Sequence, residues 1–227
     1  MSPDDQKRVA GAGAAELVED GMIVGLGTGS TAAWFVRSLA VRGLRIRCVP
    51  TSEVTAALAR SLGMTVIDLD DVQQVDLTVD GADEIGPALA LIKGGGAALL
   101  REKLVWTASR RCIVIADASK NLSALGAYPL PVEVVAFGHL GTAARVADVL
   151  AGQRIAALPV LRIKEGAPVR TDGGNLIYDL PCGVIADPPA LAVALKAVTG
   201  VIDHGLFLGL AERALIGTDD GVIILRP

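Results

Sequence analysis

The chain has 227 residues, 52% of them hydrophobic, so it can bury a sizeable core in one large domain or in one domain with a smaller companion. Its net charge is -4, and no stretch concentrates Lys and Arg among aromatic residues, which argues against a nucleic-acid partner. The longest uncharged run, 21–36, is interrupted by Gly, Thr and Ser and is shorter than the roughly 18 apolar residues of a membrane span.

Apolar runs bounded by turn residues alternate with helix-period segments through the first half of the chain. The predicted strands are short and mostly apolar, as strands buried on both faces are, and comprise 22–26, 46–49, 65–68, 75–79 and 112–116. The predicted helices between them are 30–41, 52–61 and 97–108. This alternation predicts an α/β fold with a parallel sheet.

The pattern changes at a Pro-containing connector near 128–131. The segments that follow predict a small α+β unit and comprise a strand at 132–136, a helix at 138–151, a strand at 156–163, a hairpin turn at 171–174, a strand at 175–180 and a helix at 189–198. The apolar segments 201–208, 214–216 and 222–225 could rejoin the first sheet. We therefore predict a larger domain from 1–127 and 200–227 and a smaller one from 128–199.

Four unusual loops follow the predicted parallel strands. They are GLGTGST (25–31), PTSE (50–53), DGADE (80–84) and ADASK (116–120). Ligands of open parallel sheets bind outside the carboxyl ends of the strands, where such loops gather. We therefore expect the functional site at this edge, with a further loop, KGGG (93–96), between the last two in sequence.

The GLGTGST loop does not match a dinucleotide fingerprint, because Ser30 stands where the third glycine belongs and no acidic residue ends the second strand. No GK[ST] follows for a nucleoside triphosphate either. Backbone N–H groups and the hydroxyls of Thr28, Ser30 and Thr31 at a helix N-terminus suit a single small phosphate. An ordinary strand-to-helix turn with Ser30 as the N-cap is an equally good interpretation.

The KGGG loop leaves backbone N–H groups of Gly94, Gly95 and Gly96 sterically open at the start of a helix, so an anion or a developing oxyanion can approach closely. Lys93 adds a full positive charge. A flexible loop with a solvated lysine is the alternative, and the three neighbouring loops favour the functional interpretation.

The helix behind these glycines carries Glu102, whose neighbours at i±3 and i±4 are apolar. Burial among them would raise the pKa of this carboxyl, as a general base near neutral pH requires. Arg101 and Lys103 have nearly as apolar neighbours, so the pattern alone does not single out Glu102.

The DGADE loop presents Asp80 and Asp83 just past a buried strand. Two nearby carboxylates can divide proton-transfer roles, bind Mg²⁺ or simply cap the loop, and all three interpretations stay open. Lys120, which ends the ADASK loop, is either a solvated turn residue or a phosphate contact.

Histidine and cysteine are scarce. Two histidines, His139 and His204, exclude a three-histidine metal site and weaken any Ser-His-Asp scheme, and we expect both to be structural. Three cysteines without a CxxC pair indicate neither a disulfide framework nor a zinc site, so reduced cytoplasm is the expected location. Any chemistry must then depend on carboxylates and lysines.

The motifs GLGTGST, VDGADEI, IKGGGAALLREK and IADASK, in this order and spacing, resemble type A ribose-5-phosphate isomerase over essentially the whole chain. The resemblance implies a Rossmann-like α/β domain with a smaller inserted α+β domain. It also implies interconversion of ribose 5-phosphate and ribulose 5-phosphate in the pentose phosphate pathway, a phosphosugar substrate, no metal or organic cofactor, and a cytoplasmic homodimer or other homo-oligomer.

The resemblance makes Glu102 the proton acceptor and donor, with Asp80 and Lys93 as further catalytic groups. The residues that it assigns to substrate binding are Lys7, Thr28, Gly29, Ser30, Thr31, Asp80, Gly81, Ala82, Asp83, Lys93, Gly94, Gly95, Gly96 and Lys120. Another phosphosugar isomerase or a deaminase on a similar scaffold, and a non-catalytic sugar-phosphate sensor, are the alternatives.

Overall fold

The computed structural model describes residues 1–227, and these form two compact units. The larger unit comprises Met1–Ala82, Arg101–Asn121 and Gly209–Pro227, and the second unit comprises Asp83–Leu100 and Leu122–Leu208. Residues 83–100 thus group with the second unit, whereas the sequence assigned them to the larger domain. The division at 128 and 199 stays a prediction.

Strands and helices are numbered along the chain. The strands are β1 (Ile23–Leu26), β2 (Arg47–Pro50), β3 (Thr65–Val66), β4 (Leu77–Gly81), β5 (Glu84–Ile85), β6 (Leu91–Ile92), β7 (Cys112–Asp117), β8 (Leu130–Val134), β9 (Val160–Leu161), β10 (Ile163–Lys164), β11 (Ala167–Pro168), β12 (Leu176–Leu180), β13 (Val201–His204), β14 (Leu206–Phe207), β15 (Arg213–Thr218) and β16 (Gly221–Leu225). The helices are α1 (Pro3–Ala15), α2 (Ser30–Ala40), α3 (Glu53–Ser61), α4 (Leu99–Thr107), α5 (His139–Gly152) and α6 (Pro188–Lys196).

The larger unit is built on a seven-stranded sheet in the order β16-β15-β7-β4-β1-β2-β3. All neighbouring strands are parallel except β16, which is antiparallel to β15. The predicted α/β class is therefore confirmed. Because β1, β2, β4 and β7 run in the same direction, the loops that follow them lie at one edge of the sheet, as the sequence indicated.

Close helix packing covers this sheet. A Cβ atom on Gly11 of α1 would lie 2.7 Å from the backbone nitrogen of Phe35 in α2, so only glycine allows the two helices to approach this far. The Phe35 ring is fully buried, and burying such a side chain contributes about 1.5–3 kcal/mol. The capping box between Ser2 and Asp5 fixes the start of α1.

The second unit contains a four-stranded antiparallel sheet in the order β13-β8-β12-β9, a three-stranded sheet β14-β6-β5 and the hairpin β10-β11. Even-numbered residues of β8 and β12, such as Val132 and Tyr178, pack into the apolar core with α5 and α6. Because side chains alternate along a strand, Glu133 and Asp179 lie on the opposite face. This face of the sheet thus carries charged side chains that can make polar contacts.

Segment 201–208 was expected to rejoin the first sheet, and this prediction was wrong. The segment divides at Gly205 into β13, which pairs with β8, and β14, which pairs with β6. A Cβ atom on Gly205 would lie 2.2 Å from the carbonyl oxygen of Lys93, so the chain passes this point only as glycine. Residues of β15 and β16 do join the larger sheet.

Several predicted boundaries also move. The third strand ends at Val66 rather than 68, because the Asp68 carboxylate caps a following 3-10 helix. The helix predicted from 97 begins at Leu99, since Ala97 is in the left-handed region with φ 58°. The strand predicted at 156–163 is reduced to β9 and the start of β10.

All three cysteines are free thiols within packed surroundings. Burial raises the pKa of Cys48 to about 12, and burial is likewise the main cause that raises the pKa of Cys112 to about 12. Burial raises the pKa of Cys182 to about 11. Each helix of the protein is too short or too polar to cross a membrane.

Candidate active site

The loop after β1 is tied to the loop after β2 by a cluster of hydroxyl groups. The Thr28 hydroxyl lies 2.7 Å from Thr51 Oγ1, 2.8 Å from Ser52 Oγ and 3.1 Å from Thr55 Oγ1. Thr55 Oγ1 in turn donates to the carbonyl oxygen of Gly27 at 3.0 Å. The Thr28 side chain is therefore engaged in fixing the two loops.

The Asp80 carboxylate lies beneath the glycine-rich loop and is fully buried. Its Oδ1 accepts hydrogen bonds from the backbone N–H groups of Thr28 at 3.0 Å and Gly81 at 2.7 Å, and its Oδ2 accepts one from Trp106 Nε1 at 3.3 Å. A Cβ atom on Gly27 would lie 2.1 Å from Oδ1. The glycine at position 27 thus makes room for this carboxylate, which holds the loop in place.

The N-terminus of α2 has no side-chain cap. Gly29 is the N-cap with φ 112°, whereas Ser30 is the first helical residue, so the proposed capping by Ser30 was wrong. Ser30 Oγ instead accepts a hydrogen bond from Lys7 Nζ at 3.2 Å. The first N–H groups of α2, two hydroxyls and an ammonium group are thus close together, and Thr31 is half-buried beside them.

Lys120 ends the 3-10 helix Ala118–Lys120 that follows β7. The buried Asp117 caps this turn by accepting a hydrogen bond from the Ser119 N–H at 3.1 Å. The Lys120 side chain is half-buried, which places a positive charge at the same sheet edge as α2.

Glu102 lies in the first turn of α4 and is 4% exposed. Its apolar neighbours Leu99, Val105 and Trp106 are equally buried. Arg101, by contrast, reaches the surface and pairs with Glu53 at 2.8 Å, with 41% of its side chain exposed. The structure therefore separates Glu102 from the charged neighbours that the sequence pattern could not distinguish.

The glycine loop belongs to the second unit, where Lys93 follows β6 directly. The Lys93 N–H donates to the carbonyl oxygen of Gly205 at 2.9 Å, and Gly94 adopts φ 111°. The Lys93 side chain is 3% exposed, and its Nζ lies 5.4 Å from the centroid of the Phe207 ring. A cation over an aromatic face is attracted to it, which helps to hold this ammonium group in the interior.

Asp83 anchors the same loop. Its N–H donates to Ile92 O at 2.8 Å, and its Oδ2 accepts a hydrogen bond from the Gly95 N–H at 2.8 Å. The Gly95 N–H expected to be open to an anion is therefore occupied. Burial, and then the Asp83 charge, raise the pKa of Tyr128, whose hydroxyl approaches Gly95 closely.

Gly96, Gly81 and Ala82 are the remaining residues expected to bind substrate. Gly96 is exposed, and no protein acceptor receives its N–H. Gly81 and Ala82 are half-buried at the end of β4. No group of three or more His, Cys, Asp or Glu side chains has an arrangement that could hold a metal ion.

Three further side chains hold this part of the second unit, and the sequence predicted no role for any of them. Glu84 is buried and accepts hydrogen bonds from the N–H groups of Gly126, at 2.6 Å, and Tyr128. Arg162 and Asp179 form an ion pair next to the glycine loop. Only the position of Asp179, a charge within an otherwise apolar strand, was a signal in the sequence.

Comparison with known proteins decides the family. A family model described as ribose 5-phosphate isomerase A (phosphoriboisomerase A) matches residues 47–221. The chain belongs to the ribose-5-phosphate isomerase A family. Proteins named ribose-5-phosphate isomerase A from Caulobacter sp. (strain K31) and Parvibaculum lavamentivorans are 66% and 52% identical to it, with 100% of both chains covered in each case.

Solved structures of the family agree with this assignment. The ribose 5-phosphate isomerase A of Neisseria gonorrhoeae superposes with a TM-score of 0.92 at 35% identity, covering 100% of this chain and 98% of that one. A D-ribose-5-phosphate isomerase in complex with phospho-erythronic acid has the same TM-score and identity, with 100% of both chains covered. The resemblance seen in the sequence and the predicted fold class are thereby confirmed.

Proposed function

We propose that the chain interconverts D-ribose 5-phosphate and D-ribulose 5-phosphate, with Glu102 as the base. The observation that carries this proposal is the burial of Glu102, 4% exposed at the start of α4, in a member of the ribose-5-phosphate isomerase A family. A solvated glutamate on a helix surface would not be a candidate for this role. A carboxylate that little water reaches is a stronger base toward a substrate proton than a solvated one.

The reaction needs one base on one face of the substrate. Glu102 removes the proton from C2 of the open-chain aldose, and the electron pair moves through the C1–C2 bond to O1, giving a cis-enediolate. A proton passes from O2 to O1, and the carboxyl of Glu102 returns its proton to C1, leaving the carbonyl at C2. General-base catalysis of this kind contributes roughly 10²–10⁴-fold.

The second unit supplies groups that suit the developing negative charge. The Lys93 ammonium group and the exposed Gly96 N–H are donors of the kind that stabilise an enediolate oxygen. The Gly95 N–H is held by Asp83, so its contribution is to keep the loop in position. Removing one such donor to the oxyanion typically costs about 2.7–4 kcal/mol in the transition state.

The larger unit supplies a phosphate site in this proposal. The N-terminus of α2 has Gly29 as an N-cap without a side chain, so its first N–H groups can turn toward an anion. The hydroxyls of Ser30 and Thr31 and the ammonium groups of Lys7 and Lys120 complete a set that suits a dianion. Because the Thr28 side chain is engaged elsewhere, we assign its contribution to the backbone.

Asp80 and Asp83 receive different roles. Asp80 is fully buried and accepts N–H hydrogen bonds, so we assign it to holding the loop after β1, which carries the Thr28 N–H, and the end of β4, which carries the Gly81 N–H. Asp83 is half-buried, and we assign it, with Ala82, to the sugar hydroxyls and to assistance in ring opening. The sequence had left both carboxylates open as proton-transfer groups.

Deuterium exchange tests the proposal. The protein is incubated with ribose 5-phosphate in D₂O, and ribulose 5-phosphate formation and deuterium at C2 of the aldose are followed by NMR. We expect both to appear together, because the protonated base can exchange its proton with solvent while the enediolate is bound and then return deuterium to C2. Binding without exchange would indicate a sugar-phosphate sensor, and exchange with another phosphosugar only would indicate a different isomerase.

The cellular setting is part of the proposal. We expect the chain to act in the cytoplasm, in the non-oxidative branch of the pentose phosphate pathway, as a homodimer or a larger homo-oligomer. Sedimentation at several concentrations measures the last of these.

A further inference from the structure

The carbonyl groups of the glycine loop are held by a guanidinium group from a distant part of the second unit. Arg162 lies between β9 and β10, and its Nη1 donates to the carbonyl oxygen of Gly94 at 2.8 Å and to that of Gly95 at 3.1 Å. Its side chain is 14% exposed. These are charge-assisted hydrogen bonds, which are stronger than bonds between neutral groups.

Asp179 of β12 fixes the other side of the guanidinium group. Arg162 Nε donates to Asp179 Oδ2 at 2.8 Å, and Nη2 donates to Oδ1. The backbone supports this pair, since the Arg162 N–H donates to Ile177 O at 2.9 Å. With all three guanidinium nitrogens engaged, the plane of the group and hence its direction toward the glycine loop are fixed. Burial is the largest single effect and lowers the pKa of Arg162. The hydrogen bond and the charge of Asp179 together outweigh it, so the pKa is raised overall.

The contacts of Arg162 and Asp83 together set the orientation of the loop peptides. The Gly94–Gly95 peptide is held at its oxygen by Arg162 and at its N–H by Asp83. A trans peptide is planar, with its C=O and N–H pointing in opposite directions. Holding the Gly95 oxygen against Arg162 therefore turns the Gly96 N–H away from Arg162, where it meets no protein acceptor.

Without this anchor the segment would be mobile. Three consecutive glycines have more accessible backbone conformations than any other tripeptide, and only a fixed loop presents its donors without reorganisation during the reaction. Lys93 immediately precedes the anchored peptide, so the same contacts limit the movement of its backbone.

We propose that Arg162, fixed by Asp179, is a positioning residue: it orients the Gly96 N–H toward the negative charge on the substrate oxygen and restrains the backbone that carries the Lys93 ammonium group. This inference rests on the proposed function. Arg162 contacts the carbonyl groups of the loop and acts through them on the donors.

The main test compares Arg162→Gln with the unsubstituted protein and with a matched control, Arg170→Gln. Arg170 also donates from Nη1 to a glycine carbonyl, Gly174 at 2.8 Å, but in a hairpin away from the glycine loop. We expect Arg162→Gln to lower kcat roughly 10- to 100-fold, as misplacement of catalytic groups by about 1 Å does, with little change in KM. Arg170→Gln should retain the unsubstituted kcat.

Conservative variants keep the test informative if Arg162→Gln folds poorly. Arg162→Lys retains the charge but cannot engage both carbonyl groups and the carboxylate, so its kcat should fall by an intermediate factor. Asp179→Asn should lower kcat in the same direction, and the double variant Arg162→Gln/Asp179→Asn should lose no more than Arg162→Gln alone, because both residues act through the same contact.

A second measurement does not depend on activity. In protein labelled with ¹⁵N-glycine, amide exchange of Gly95 should become faster in Arg162→Gln and stay unchanged in Arg170→Gln, whereas a purely structural role would change exchange throughout the unit. Equal kcat for both variants, or a loss of kcat with unchanged Gly95 exchange, overturns the inference. If the unsubstituted protein does not isomerise ribose 5-phosphate, the proposed function fails, and the amide exchange still reports whether Arg162 anchors the loop.

Discussion

Replacing Glu102 by glutamine tests the chemistry most directly. The side chain is 4% exposed, and Gln has nearly the same shape, so the variant occupies the same space but cannot accept a proton. General-base catalysis of roughly 10²–10⁴-fold corresponds to about 3–5 kcal/mol in the transition state at 1.36 kcal/mol per tenfold. We expect kcat to fall by that factor, with KM little changed.

The assay follows ribulose 5-phosphate and C2 deuteration by NMR, beside a thermal unfolding curve for each variant. Arg101→Gln is the matched control on the same helix, because it removes an exposed ion pair with Glu53, worth up to about 1 kcal/mol. Glu102→Asp keeps an acid but shortens its reach, and we expect a loss of about 10². Near-normal turnover in Glu102→Gln, or its failure to fold, would mean that Glu102 is structural and that Asp83 must be examined as the base.

Three other outcomes are expected. Activity should survive exhaustive EDTA treatment, and loss of turnover that Mg²⁺ or Zn²⁺ restores would contradict the Lys93-based mechanism. Lys120→Ala should lower kcat/KM for ribose 5-phosphate about 10- to 100-fold, the cost of a charged hydrogen bond, and leave kcat/KM for free ribose nearly unchanged; equal losses would refute the phosphate assignment. The hydrogen bond from Arg111 at 2.8 Å is the main cause that lowers the pKa of Glu212 from 4.5, so this carboxylate stabilises the fold above pH 4.5 and less as pH falls. Glu212→Gln should therefore reduce the free energy of unfolding in urea by up to about 1 kcal/mol at neutral pH, and a difference that persists in acid would contradict this account.

The sheet of the larger unit could be predicted from the sequence because its strands are buried on both faces. Such strands appear as short apolar runs between turn residues, and β1 and β7 each begin within one residue of the predicted position. Since parallel strands end at one edge, the positions of the loops after them followed from the strand assignment. The sequence therefore sufficed to predict which edge of the sheet carries Thr28, Asp80 and Lys120.

The short three-stranded sheet of the second unit could not be predicted from the sequence. β5, β6 and β14 have two residues each, too few to show a period of two. Segment 201–208 looked like one apolar strand, and only the contact between Gly205 and Lys93 shows why it divides. The sequence thus predicted the glycine loop but not the sheet that holds it.

The steric reasons why particular positions must be glycine also could not be predicted from the sequence. The sequence left the glycines of 25–31 as either a phosphate loop or an ordinary turn, whereas in the structure a Cβ atom on Gly25 would collide with Thr78 and one on Gly27 with Asp80. The Arg162 contact joins residues 68 positions apart and has no local pattern. Side-chain contacts over such separations depend on the packed sheets, which composition and periodicity do not specify.

The raised pKa values of the three native thiols have a practical consequence for experiments on this protein. The thiolate is the form that reacts with maleimides and with peroxide, and pKa values of about 11 to 12 leave almost none of it at neutral pH. A single cysteine introduced at the exposed Val41 would therefore take up a fluorophore selectively, without replacement of the native cysteines. Distance and dynamics measurements can thus be made on a chain with its natural core intact.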